Sequence, residues 1–444
     1  MENPKTTSEM TQVALGTHAR PVWSSQTIFI IASIAGVVGL GNIWRFPYMV
    51  GQNGGGTFIV AYAICILAIG LPIMILESSA GNLTERGPVG TFRHINRTWG
   101  PWVGWLLVAL TVTIMSYYFV VTGWTLGYTV DAIRGSLGPF EEFTAGYSSI
   151  WYFLIVAALV LAVMWNGIEH IEKISRIMLP LLVVGVGGMA IYSQTLDGAG
   201  QANDFYFSFD SDIFFRLQTW RMAAGQAFYS LSIGLALLIT YGSYTPKGVN
   251  IVGSSIAIVA TNSFVSIMAG LMVFPIVFTF GIVPETGSQL SFTAFPAVFG
   301  ELNGGRAISV VFFVLLFLAA FTSCTGGLAV VLAPIRDEFK LPRWAAASIG
   351  VAVVTLLGIP SALSFTSTGL EVNGKPFLDL MDQIAGSGVV IVAGILGAAL
   401  IAWIIPKADL LAAMNSRLPN GWIIYLGRLL PIGAAAILLA ALLR

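Results

Sequence analysis

The sequence predicts an all-α polytopic membrane protein, and three observations carry that prediction. The composition is apolar and nearly uncharged, apolar stretches of about 20 residues follow one another along the chain, and two of them are interrupted midway by glycine and polar residues. Of the 444 residues, 56% are hydrophobic and 9% charged, with a mean hydropathy of +0.84. A soluble domain carries about 25% charged residues, so the bilayer is the solvent for most of this chain. In lipid each backbone polar group must be satisfied internally, which for stretches of this length means helix. Formal charge is zero, which argues against a nucleic-acid partner. Cys65 and Cys324 both sit in apolar runs; they read as buried free thiols rather than a disulfide framework.

Stretches able to span fall near 24–51, 56–82, 102–134, 150–165, 174–196, 218–244, 248–283, 305–338, 342–360, 376–403 and 421–442. That makes about eleven transmembrane helices, of which 150–165 is short and several are long enough to tilt. Residues 1–23 are polar and lack the pattern of a signal peptide, so the N-terminus is expected to stay in the cytoplasm. The positive-inside rule agrees. Arg86, Arg93 and Arg97 follow the second span, Arg336, Lys340 and Arg343 the eighth, and Lys407 and Arg417 the tenth. The opposite loops carry Glu141, Glu142, Asp197, Asp204, Asp210 and Asp212. Eleven spans then leave the C-terminus outside, in a multi-pass protein of the cell (inner) membrane. Loop 361–376, with Asn373 and Gly374, reads as an ordinary hairpin connection.

The first span contains Gly-Val-Val-Gly-Leu-Gly-Asn-Ile-Trp-Arg-Phe-Pro at 36–47. Glycine weakens a helix by about 1 kcal/mol relative to alanine, and an arginine at mid-bilayer costs roughly 2.5–3.5 kcal/mol. A glycine run in a membrane helix also serves close helix packing, but Arg45 demands a partner or a function. The sixth span is interrupted in the same way, with Gln226, Ser230, Ser232 and Gly234 inside it. The interrupted spans lead two successive groups of five, and paired interruptions at matching positions point to a transporter site at the membrane midplane. Unwound backbone is tolerated at that depth only where it lines a cavity or is buried in protein. Half-helix N-termini suit a carboxylate, and freed carbonyls with neutral oxygens suit a hard cation. Asn42, Ser230, Asn262, Thr322 and Ser323 supply such oxygens, while position 39 is glycine and offers no fixed anion for a bare amine. A substrate bringing its own carboxylate is therefore expected. Thr322 and Ser323 have an ordinary alternative, bonding back to the i−4 carbonyl.

The motifs GLGNIWRFPY at 39–48, NGGGTF at 53–58, GQAFYSLSIG at 225–234, TYGSY at 240–244 and FTSCTGG at 321–327 resemble the neurotransmitter:sodium symporter family, in particular its LeuT-like amino acid transporters of bacteria and archaea. The match covers nearly the whole chain. The resemblance implies a LeuT-type 5+5 inverted repeat with helices 1 and 6 broken. Residues 1–23 would form a cytoplasmic tail, 24–196 and 218–403 the two repeats, and 421–444 an eleventh helix. It also implies sodium-driven symport of a neutral amino acid by alternating access, with a monomer sufficient for transport and a dimer compatible with it.

Carried over by motif position, one sodium site would use Val37, Asn42, Ser230 and Asn262, completed by the substrate carboxylate. The second would use Ala35, Val38 and Ala319 with the hydroxyls of Thr322 and Ser323. Gly36, Val38, Leu40, Gly41, Ile114, Tyr118, Val121, Tyr229, Ser230, Ser232, Leu235, Ser323, Gly326 and Gly327 would surround the substrate, Tyr118 holding its carboxylate and Ser232 receiving its amine. Arg45 and Asp382 with Tyr118 and Tyr229 would form an outer gate, and Arg20, Trp23, Tyr244 and Asp337 an inner one. Glu77 would accept hydrogen bonds from the broken sixth helix; the plainer alternative is a packing carboxyl kept neutral.

Three departures from the family pattern carry information. Ser266 stands one turn after Asn262, where many bacterial relatives have an acid and chloride-dependent relatives a serine. Tyr62, Gln226, Ser230, Asn262 and Ser266 thus form a neutral donor set, and two sodium ions with a zwitterion leave positive charge that is expensive in a low-dielectric interior. A bound chloride is expected; the plainer alternative is a packing serine. His170 replaces a glycine ten residues before Pro180, and reads either as a protonatable group near the exit or as a loop-edge residue without a role. Gly36, Leu235, Gly326 and Gly327 suggest room for a bulky aliphatic or aromatic side chain. Among other classes, a channel would need pore rings or a filter. An intramembrane hydrolase would need a nucleophile and base, yet His18, His94 and His170 all lie outside the apolar spans. A sensor of amino acids on the same fold would bind without transport.

Overall fold

The computed structural model describes residues 22–282, 290–302, 304–416 and 421–430. Among the described residues, eight continuous helices are long and apolar enough to cross a bilayer. In chain order the segments are α1, in two arms (Gln26–Val37 and Gly41–Gln52), α2 (Gly56–Thr84), α3 (Gly100–Arg134), α4 (Ser148–Asn166), α5 (Ile168–Ser193), α6, in two arms (Leu217–Ser230 and Leu237–Gly242), α7 (Ile251–Thr279), α8 (Gly305–Phe339), α9 (Arg343–Leu363), α10 (Phe377–Ile404) and α11 (Gly421–Leu430). The rest of the expected eleventh helix, beyond residue 430, lies outside the described residues, as do Arg20 and most of the 1–23 tail.

Local chemistry accounts for the ends. The Ser25 hydroxyl caps α1 by accepting from the Ile28 amide at 3.2 Å, and the Asn250 side chain caps α7 by accepting from Gly253 at 2.9 Å. Such caps satisfy amides that have no partner within the helix. The α9–α10 connection is a two-stranded antiparallel hairpin, Glu371–Val372 against Lys375–Pro376, turning at Asn373 (φ 55°) and Gly374 (φ 73°) as Asn-Gly hairpins do. The short stretch at 150–165 becomes the 19-residue α4. Helix α5 starts at Ile168, earlier than the sequence suggests. Glu169, Glu172 and Lys173 lie before the expected span but form the first polar turns of the helix, and His170 sits in the first of these turns, next to the connection at Gly167.

The packing partners repeat with a period of five. α1 packs on α7 as α6 packs on α2; α3 runs along α8, and α4 along α9. α5 touches α1, α7 and α8, while α10 touches α6, α2 and α3. Exchanging each helix with the one five places later maps this list onto itself. Because five spans is an odd number, the second set enters from the opposite side, which makes the repeat an inverted one. The fold is the all-α LeuT type.

Candidate functional site

Both interrupted helices lose their coil where the sequence places the breaks. The arms of α1 meet at 53°, separated by Val38 (ψ 107°), Gly39 and Leu40, and the second arm opens with a π-helical turn at Gly41–Arg45. In α6 the coil stops after Ser230, and residues 231–236 form turns with Ser232, Gly234 and Ala236 at φ of 52°, 81° and 55°. Left-handed serine and alanine are strained conformations that persist where the surroundings impose them. The Glu77 side chain, buried in α2, accepts from the freed Gly234 amide at 3.2 Å through Oε1, as the sequence leads one to expect.

A small cavity of about 40 Å³ lies between the breaks. From the expected set it is lined by Gly36, Gly41, Ile114, Tyr118, Tyr229, Ser232, Leu235, Ser323 and Gly327. Val38, Leu40, Val121, Ser230 and Gly326 stand off the wall. Val38 and Leu40 are buried, and the Leu40 amide donates to the Tyr118 hydroxyl at 2.9 Å. Ser230 belongs to the oxygen cluster described below. Gly326 packs against Gly36, where a Cβ would stand 3.3 Å from the Gly36 Cα. Val121, three residues past Tyr118, lines a second cavity with Trp44, Tyr117, Trp124, Asp379 and Asp382. Val37, Gly39, Thr111, Met115, Leu237, Val330 and Val390 complete the central wall. Thr111 and Met115 were legible in principle, because they share one helical face with Tyr118 at i, i+4 and i+7.

Two close approaches shape this cavity. A Cβ at Gly39 would stand 2.3 Å from Ser323 Oγ and 2.5 Å from the Tyr118 hydroxyl, and one at Gly41 would stand 2.8 Å from the Tyr229 ring. Glycine therefore lets the unwound part of α1 reach α3, α6 and α8 together. The room expected near Gly327 is taken by Met115, whose sulfur lies 2.2 Å from where a Cβ would be. Leu237 and Tyr241 occupy the space beside Gly36 and Gly326.

Beside the cavity lies a sealed oxygen cluster. Asn42 Nδ2 donates to Asn262 Oδ1 and Ser266 Oγ, both at 2.8 Å, and to the Asn262 carbonyl at 3.2 Å, while its Oδ1 accepts from the Gly39 amide at 3.0 Å. Asn262 donates to Ser230 Oγ at 3.4 Å, which pairs with the Tyr62 hydroxyl at 3.2 Å. Gln226 joins at the edge, donating to the Gly41 carbonyl at 2.8 Å and accepting from Arg45 at 2.7 Å. The cluster thus unites Asn42, Tyr62, Gln226, Ser230, Asn262 and Ser266 from α1, α2, α6 and α7, all buried. No carboxylate belongs to it. On α8, Thr322 Oγ1 donates back to the carbonyls of Leu318 and Ala319 at 3.0 and 3.1 Å, the ordinary alternative. Ser323 Oγ reaches across to the Val38 carbonyl at 3.4 Å. Ala35 lies buried one turn before Val38.

On the distal side, away from Trp23, the Arg45 guanidinium lies 4.6 Å from the Tyr229 ring centre and interacts electrostatically with Asp382. Asp382 accepts from the Tyr117 hydroxyl at 3.0 Å, a neighbour of Tyr118 that the sequence reading passed over. On the proximal side Trp23 is buried, with its indole N–H donating to the Tyr241 carbonyl at 3.0 Å and its amide to the Tyr244 carbonyl at 2.8 Å. Asp337 accepts from the Gly87 amide at 3.3 Å; its expected partner Arg20 is outside the described residues. A second tie here has no signal in the sequence. Glu172 on α5 accepts from the Ser24 amide and hydroxyl at 2.9 and 3.0 Å, with Arg176 at 3.6 Å.

The model of the sodium:neurotransmitter symporter family matches residues 20–149 and 146–443. An uncharacterized sodium-dependent transporter of Bacillus subtilis is 31% identical over 412 residues, covering 89% of this chain and 91% of its own length. One from Haemophilus influenzae is 29% identical over 424 residues, covering 89% and 92%. The crystal structure of MhsT in complex with L-phenylalanine superposes with a TM-score of 0.87 at 34% identity, covering 95% of this chain and all of that one. Broken helices around a buried cavity and matches along nearly the whole chain lead to one conclusion: this chain belongs to the sodium:neurotransmitter symporter family, sodium-coupled secondary transporters of the membrane rather than enzymes.

Proposed function

We propose that the protein couples sodium entry to uptake of a neutral α-amino acid with a bulky hydrophobic or aromatic side chain. The observation that carries this reading is the convergence of both helix breaks on one buried cavity that no charged side chain lines among the described residues. The substrate carboxylate meets the start of the second α1 arm, where the Leu40 and Gly41 amides and the Tyr118 hydroxyl converge; a helix N-terminus favours an anion there. Its amine faces Ser232 and the carbonyls freed in α6. The side chain lies between Ile114, Met115, Leu235 and Val330. Met115 is a flexible filler and moves aside for it. MhsT, bound to phenylalanine in its structure, supports an amino acid of this kind; another small zwitterion, or sensing without transport, is the alternative.

One sodium ion is placed among Val37, Asn42, Ser230, Asn262 and the substrate carboxylate, which makes substrate and ion binding interdependent. The second is placed among Ala35, Val38, Ala319, Thr322 and Ser323, with the hydroxyls turned to offer lone pairs. The neutral cluster of Tyr62, Gln226, Ser230, Asn262 and Ser266 is the place for chloride, whose charge offsets that of the ions in the dry interior. Arg45 with Asp382, Tyr118 and Tyr229 closes the path to the outside, and Trp23, Tyr244 and Asp337, with Arg20, closes the path to the cytoplasm. In this orientation the Arg-rich proximal face is cytoplasmic in the cell (inner) membrane, the C-terminus is outside, residues 24–196 and 218–403 are the two repeats, and a monomer transports.

The test is uptake of radiolabelled phenylalanine or leucine into proteoliposomes. Accumulation with an inward sodium gradient, and little without it, is expected. Equal uptake in both conditions overturns coupling, and sodium-dependent binding without any uptake favours a sensor. Replacing chloride by gluconate is expected to lower uptake; an unchanged rate removes the anion.

A further inference from the structure

The loop after α2 carries a short helix, Pro88–Ile95, which buries Val89, Thr91 and Phe92 and leaves its basic residues at the surface. Arg86, Arg93, His94 and Arg97 line one open groove there with Thr84 and Gly90. The stem of Arg86 packs over Gly90, where a Cβ would stand 2.6 Å from the Arg86 Cβ and 2.7 Å from its Cδ. The nearby acids are already engaged. Glu338 takes Arg93 at 2.9 Å, and Glu85 takes Lys247 at 2.9 Å. Among the described residues no acidic side chain neutralises Arg86, His94 or Arg97. Arg86 and Arg97, two guanidinium groups on one groove with no acid of their own among the described residues, call for an anion from outside.

The surroundings say which anion. Directly after Arg97, Trp99, Trp102 and Leu106 are exposed on one face of the start of α3, at 38%, 75% and 65%. Their spacing of i, i+3 and i+7 makes a single stripe, and indoles at the end of a membrane helix favour the headgroup level. A soluble anion would use the groove alone, whereas a phospholipid would use the groove for its phosphate and the stripe for its acyl chains. Arginine forks suit phosphate oxygens in pairs, and basic pockets at the cytoplasmic ends of membrane helices take anionic headgroups. We propose that this groove is a specific site for the phosphate of an anionic phospholipid, separate from the transport path.

The experiment is native mass spectrometry of the full chain in detergent, titrated with phosphatidylglycerol, phosphatidylcholine or inorganic phosphate. One retained phosphatidylglycerol per chain is expected, with phosphatidylcholine retained far less. Each arginine near an anionic headgroup contributes about fivefold, so Arg86→Gln with Arg97→Gln weakens retention by about 25-fold, and Trp102→Ala weakens it further for lipid but not for phosphate. Arg216→Gln with Lys375→Gln removes the same charge elsewhere and should leave retention unchanged. Thermal unfolding in the same detergent confirms that each variant is folded. Equal retention by the Arg86/Arg97 variant and the parent overturns the site, as does equal loss in the Arg216/Lys375 variant. Indifference between the two lipids also overturns it, and phosphate binding without lipid binding reassigns the groove to a soluble anion.

Discussion

The two oxygen-rich regions beside the cavity are built differently. The cluster around Asn42 and Asn262 draws side chains from four helices and closes on itself through hydrogen bonds, several at 2.8 Å, with its members sealed from solvent. The pair on α8 is sparse. Thr322 bonds within its own helix, and Ser323 spans the gap to α1 with one bond of 3.4 Å. A dense, fully satisfied buried network holds its geometry; a single long bond between two helices does not. The first region is therefore expected to keep its shape as the transporter opens, and the second to loosen when α1 moves away from α8. On the proposed assignment, one sodium ion is tied to substrate binding and the other reports the conformation of the carrier.

The largest effect is expected from Asn42→Ala, which strands the partners of four hydrogen bonds. An unsatisfied buried polar group costs about 1–3 kcal/mol, so sodium-dependent substrate binding by scintillation proximity should fall by about 100-fold. A fall no greater than that of the α8 variants would erase the contrast between the regions. Next is Ser266→Glu, which places a fixed negative charge in the dense region; uptake should then become indifferent to replacement of chloride by gluconate. Persisting chloride dependence would place the anion elsewhere. Ser323→Ala removes this hydrogen bond from α8 to α1 and should raise the sodium concentration for half-maximal uptake by about tenfold, or about 1.4 kcal/mol, while leaving selectivity among amino acids unchanged. The smallest effect belongs to Thr111→Val. Its hydroxyl donates to the Leu235 carbonyl at 2.8 Å and ties α3 to the turn in α6; loss of one net hydrogen bond of about 1 kcal/mol should lower substrate affinity about fivefold, read from uptake at varied substrate.

The inner closure was only half legible in the sequence. Trp23 and Tyr244 were readable from motifs, but the clasp of Glu172 on Ser24 joins residues 148 apart, and Glu172 by itself looks like any charge in a polar turn. The same holds in the cavity. Gly327 reads as empty space because sequence records the missing side chain and not the Met115 sulfur that fills it. Val121 reads as a wall residue because it is near Tyr118 in sequence, while the path of α3 carries it into the distal cavity.

Composition and local pattern alone determined the bilayer as solvent, the succession of spans and the two places where helix gives way. Those are properties of short windows: an apolar run must be helical in lipid, and glycine with polar residues inside it marks where the coil fails. Only the tertiary structure decided what meets at those breaks: the closure of Asn42 with Asn262 and Ser266, the approach of Gly39 to Ser323 and Tyr118, and the bare arginines beside an exposed indole stripe. Each depends on how distant helices are brought side by side, and that is set by the packing of the whole bundle rather than by any one stretch of chain.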